Sequence, residues 1–84
     1  MHKLDSMLNI GKEIKMKLFS IGIRSSEDLI QLGSKQVFAQ LKDRYPNVCL
    51  VHLYAIQGAI DNIEFDKLSD ETKLDLKQFC DSLK

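Results

Sequence analysis

Leu8-Asn9-Ile10-Gly11, with Lys12, Glu13 and Lys15 directly behind, is the stretch whose residue types and spacing could grip an anion. A glycine at the mouth of a helix leaves the first backbone N–H groups without intrahelical partners, at the positive end of the helix dipole. Turned towards a phosphate, the amides of Gly11, Lys12 and Glu13 would donate to it, and the Lys12 and Lys15 side chains would add charge. Such a contact positions a protein on a nucleic-acid backbone and reads no base. Asn9 stands where a glycine–hydrophobic–glycine hairpin has its first glycine, and Glu13 sets a negative charge beside the phosphate. The alternative for Asn9 through Lys15 is a purely structural turn.

Cys49 and His52 stand three residues apart on one helix, a spacing that can share a metal. Two ligands do not make a zinc site, which usually takes four, and His2 and Cys80 are remote in sequence. No metal or other cofactor is expected. Ser25, Ser34 and Ser69 fit helix caps better than nucleophiles. The chain holds no phosphate loop, dinucleotide fingerprint or nucleophile elbow, so no catalytic residue is assigned and an enzyme is not expected. Tyr45, Val48 and Phe65 fall near helix ends. They could anchor a protein partner or a second copy of the chain, or simply pack as a rim over the core.

Charge bears on both binding readings. Twelve basic residues balance twelve acidic ones, which argues against avid, sequence-independent DNA binding. The distribution is polarised: residues 1–24 hold five basic and two acidic side chains, and residues 61–84 hold four and seven. An anion-facing N-terminal surface is one reading, and ordinary solvated helix faces are the other. With 84 residues, 44% of them hydrophobic, the chain is expected to form one domain over 1–84 with a modest core. It contains no apolar run long enough to span a membrane and no secretory signal, and two cysteines make no disulfide scaffold. A cytoplasmic protein with reduced thiols is expected, with no small-molecule substrate.

The elements that must position these residues are helical throughout. Pro46 is the only proline, and no stretch alternates long enough to suggest a sheet. Leu4, Met7 and Leu8 predict a short first helix broken at Asn9-Ile10-Gly11. A second runs from about Lys12 to Ser20, with Ile14, Leu18 and Phe19 at helical spacing, and Gly22 ends it with Ile23 packing back. Ser25, with Asp28 three residues on, predicts the next start and a capping box strained by the short Asp. Leu29, Ile30 and Leu32 turn inward there, and Gly33 stops the helix. Ser34 caps a helix carrying the stripe Val37, Phe38 and Leu41, which closes before Pro46. Val48 to Asp61 is apolar nearly all round and therefore central. Gly58 within it predicts another helix crossing close by. Phe65 and Leu68 anchor the connector that follows, and Ser69 caps a last helix with Leu76, Phe79, Cys80 and Leu83 on one face. The expected fold is an all-α bundle of five or six short helices around the central apolar one, with a helix–hairpin–helix character at its N-terminal end.

This ordered series resembles the C-terminal domain of the TfoX (Sxy) family, bacterial proteins associated with regulation of natural competence. The match is carried by Leu8-Asn9-Ile10-Gly11 and its helix, Ile21-Gly22-Ile23 through Ser25 to Asp28-Leu29, Leu32-Gly33 with Val37-Phe38 and Leu41, and Leu50 through Gly58-Ala59-Ile60. Phe65 stands where the family often has tryptophan. Lys12 replaces a frequent proline, and no counterpart of the separate N-terminal domain of many relatives is expected within these 84 residues. The resemblance implies an all-helical fold, no catalytic activity and no transferable site. The expected function is a non-enzymatic regulatory or accessory module acting by protein–protein interaction, possible self-association included. The alternative is nucleic-acid binding through the Asn9–Lys12 hairpin.

Overall fold

The computed structural model of the chain describes residues 7–83. Five α-helices follow in order: α1 Lys12–Ser20, α2 Ser26–Leu32, α3 Ser34–Arg44, α4 Leu50–Asp61 and α5 Asp70–Ser82. A single 3-10 turn, Phe65–Lys67, lies between α4 and α5. Among the described residues there is no strand, so the all-α architecture expected from the sequence is observed. Of the expected first helix, Leu4 lies outside the described residues, and Met7 to Asn9 form a turn rather than a helix.

The helix ends follow the local chemistry. Gly22 at φ 90° closes α1: its N–H bonds the Phe19 carbonyl at 3.1 Å, and the Ile23 N–H bonds Leu18 at 2.9 Å. Ile23 is then buried against the helix it has just left, the paired-bond ending that a left-handed residue permits. Ser25 caps α2 by accepting the Asp28 N–H at 3.2 Å. The short Asp28 carboxylate reaches the Arg24 N–H at 3.1 Å and leaves the usual box partner, the Ser25 N–H, aside. Ser69 caps α5 through the Thr72 N–H at 3.1 Å. Each such cap is worth about 1 kcal/mol.

Ser34 is not a cap. Gly33 is the N-cap of α3, and Ser34 is its first residue, buried, with its hydroxyl donating to the Gln57 side chain of α4. Ile30 also departs from expectation: it is 53% exposed, because the seven-residue α2 turns only one narrow stripe inward, through Leu29.

The core sits around α4, which packs against α2, α3, the 3-10 turn and α5. Leu53 and Ile56 are fully buried, and they meet Val37, Phe38 and Leu41 of α3 and Leu76 of α5 in one cluster. Burying each of these large side chains contributes about 1.5–3 kcal/mol. α4 is not covered on every side: Val51 is 53% exposed near its start. On α5, Leu76 and Cys80 are buried and Phe79 is half-buried, but Leu83 caps the helix C-terminus and is exposed.

Gly58 is buried for a different reason than a helix crossing. A Cβ there would strike the backbone carbonyl of Ile63 and the Asn9 side-chain amide. The close neighbour is the chain's own connector, folded back by Asn62 in the left-handed region, so that the Ile63 N–H bonds the Gly58 carbonyl at 2.8 Å.

Candidate interaction surface

Asn9 decides what the N-terminal turn does. It lies in the left-handed region at φ 69°, the conformation that a glycine at this place would supply. Its side chain points into the protein. Nδ2 donates to the Ile63 carbonyl at 2.9 Å, and Oδ1 accepts the Phe65 N–H at 3.3 Å. One amide therefore pins the turn to the α4–α5 connector, more than 50 residues along the chain. Ile10, next to it, is buried in the core. Asn9 is thus a latch of the fold, and its side chain has nothing left to offer a phosphate.

The other residues of the predicted phosphate grip remain at the surface. Gly11 is the exposed N-cap of α1, with extended backbone and no side-chain cap. Lys12 is exposed. Glu13 pairs with Lys17 at 3.0 Å, and that hydrogen bond and charge lower its carboxyl below the ordinary value. Lys15 sits over the Phe19 ring at 5.6 Å. The structure keeps Lys12, Glu13 and Lys15 on α1 and takes Asn9 away from them.

The three predicted partner anchors separate. Val48 is a correction: it is 1% exposed and belongs to the core. Lys42 folds the Pro46–Val48 loop over by donating to the carbonyls of Pro46 and Val48, at 3.0 and 2.9 Å, and this presses Val48 inward. Phe65 is exposed, although its backbone is held by Asn9. Tyr45 is half-buried at the end of α3. Its hydroxyl donates to Ser20 at 2.8 Å, and its ring lies under Lys17 at 5.6 Å. A Ser20 hydroxyl turned to donate to the phenolate, followed by Arg44, holds the phenol below its ordinary pKa.

Tyr45 and α1 together form a surface that sequence reasoning missed. Glu13, Met16, Lys17, Ser20 and Tyr45 line a groove of about 390 Å³. Met16 is 63% exposed on its edge and Phe19 is 44% exposed one turn on, so Phe19 does not join Ile14 and Leu18 inward. The available signal was angular: on a 100° per residue wheel, Met16 and Phe19 lie well away from the Ile14–Leu18 stripe.

The Cys49–His52 spacing has a structural use. His52 Nδ1 accepts the Cys49 N–H at 3.1 Å, with the thiol sulfur 3.4 Å away, so the pair closes the start of α4 in the manner of a capping box. A second cleft, about 470 Å³, lies beside Ser34 and Gln57 and is flanked by the Lys35–Asp75 ion pair at 2.7 Å.

The profile of the TfoX C-terminal domain matches residues 1–80. The chain belongs to the TfoX C-terminal domain family. Two crystal structures of proteins from Listeria monocytogenes share the fold of this TfoX C-terminal domain. One, an uncharacterised protein in a triclinic form, is 34% identical with a TM-score of 0.94, over 96% of this chain and 92% of its own. The other, a protein of unknown function in a tetragonal form, is 34% identical with a TM-score of 0.93, over 96% of this chain and all of its own. No functionally curated protein matches the chain. Among the described residues of this TfoX C-terminal domain, no helix is long and apolar enough to cross a membrane.

Proposed function

We propose that this TfoX C-terminal domain is a non-enzymatic regulatory or accessory module that works by protein–protein contact through the outer face of α1 and Tyr45. The observation that carries the reading is the exposure of Met16 and Phe19 beside the Tyr45 groove. Large apolar side chains are exposed elsewhere too, Ile30 and Val51 among them, but on α1 Met16 lines a groove and Phe19 stands one turn on. Methionine adapts its shape to a partner, and aromatic residues dominate contact energy. The regulatory setting that the family resemblance implies agrees with such a role. The free thiols Cys49 and Cys80 fit a cytoplasmic setting.

Nucleic-acid binding is the second reading, favoured by the exposed, uncapped start of α1 with Lys12 at its mouth. Glu13 at that same mouth and the inward Asn9 weigh against it.

A photo-crosslinking side chain placed at Met16 in the native host tests the first reading, with Asp43 as the control position. A discrete protein adduct from Met16 and none from Asp43 is expected; no adduct from Met16 would contradict it. Titration with duplex and single-stranded DNA at low salt tests the second. Salt-sensitive binding lost in Lys12→Glu plus Lys15→Glu would move the conclusion to nucleic acid.

A further inference from the structure

We infer that the outer face of α1 docks against the outer face of α5 in a second copy of this chain. The inference rests on reading α1 as a contact surface, and it names the partner. On α1, the side turned away from buried Leu18 carries Lys12, Met16 and Phe19, all exposed. On α5, the side turned away from buried Leu76 and Cys80 carries Asp70, Glu71, Leu74 and Gln78, all exposed, with Leu74 at 57%. The spacing of these four residues puts them on one stripe.

The two faces complement each other twice over. One is an apolar pair beside a lysine at the start of a helix. The other is an apolar residue beside two carboxylates at the start of a helix. The polarised charge of a chain with zero net charge thereby becomes two opposed surfaces. Exposed ion pairs add little energy by themselves, but they set register and encounter rate. Contact of Met16 and Phe19 with Leu74 supplies the apolar part. Such a contact is small, so the association is weak and reversible.

Sedimentation equilibrium on the intact chain and two charge-swapped variants tests this. Lys12→Glu with Met16→Glu makes α1 acidic, and Asp70→Lys with Glu71→Lys makes the α5 face basic while keeping Leu74. All four positions are exposed, so both variants fold, which a thermal melt checks. The native chain is expected to self-associate, with a dissociation constant rising about tenfold or more from low to high salt. Each variant alone is expected to be monomeric, and an equimolar mixture to associate again, because every contact then joins opposite charges. A native chain that stays monomeric at millimolar concentration in low salt overturns the inference. So does association that survives either variant, or a mixture that stays monomeric. After any of these, a Met16 adduct to a different protein keeps α1 as a contact surface, whereas loss of every adduct removes both readings.

Discussion

At the scale of single residues, neighbours decide what a side chain is for. Glu13 and Lys17 form an i, i+4 pair along α1, and the lysine holds the carboxyl below its usual range. A lowered carboxyl pKa contributes stability above the ordinary value and loses it as pH falls through the lowered one. Glu13 is fully exposed, so salt screens that contribution. In Lys17→Met, the Glu13 titration midpoint followed by carboxyl NMR is expected to rise towards 4.5. An unmoved midpoint would show that the pair does not persist in solution. The polar caps at Ser25 and Ser69 were legible in the sequence, since each sits directly before a helix and bonds within four residues. Asn9 was not legible in the same way. Its partners are the backbone groups of Ile63 and Phe65, which no local pattern points to. Val48 misled for a related reason: a lysine six residues upstream turns that loop inward.

At the scale of elements, apolar periodicity and glycine punctuation located the four helices from α1 to α4, and Ser69 located α5. The periodicity did not say what approaches Gly58. That neighbour is a returning connector, because Asn62 reverses the chain at once after α4. Gly58→Ala gains about 1 kcal/mol of helix propensity. It also drives a methyl group into the Ile63 carbonyl and the Asn9 amide, and such overpacking costs about 1–3 kcal/mol. Net destabilisation is expected in a denaturant melt, and a stabilised variant would contradict the close approach. Gly33 tests the joint between α2 and α3. At φ 85° and ψ 156° it occupies backbone space that is nearly reserved for glycine. Gly33→Ala is expected to lose about 1–3 kcal/mol although a Cβ there meets no atom within 4 Å. Unchanged stability would mean that the joint relaxes.

At the scale of the whole molecule, the Asn9 latch ties the N-terminal turn to the connector that follows the central helix, and this fixes where α1 presents its outer face. The all-α bundle and its buried α4 could be expected from composition and pattern, because burial of an apolar segment is a property of that segment. The groove beside α1 was legible only in part: helical spacing sets Met16 and Phe19 apart from the Ile14–Leu18 stripe, but Tyr45 reaches Ser20 from the end of another helix. The functional reading depends on the turn being a latch and not a phosphate grip, and Asn9→Gly separates the two. Glycine keeps the left-handed backbone and removes only the side chain, giving the glycine–hydrophobic–glycine sequence of a phosphate-gripping hairpin. As a latch, Asn9 takes with it two bonds to backbone groups, so denaturant unfolding of the variant should show a loss of about 1–3 kcal/mol. DNA titration of the same variant at low salt should show no gain in affinity. Undiminished stability together with tighter duplex binding would contradict the latch and return the hairpin to the nucleic-acid reading.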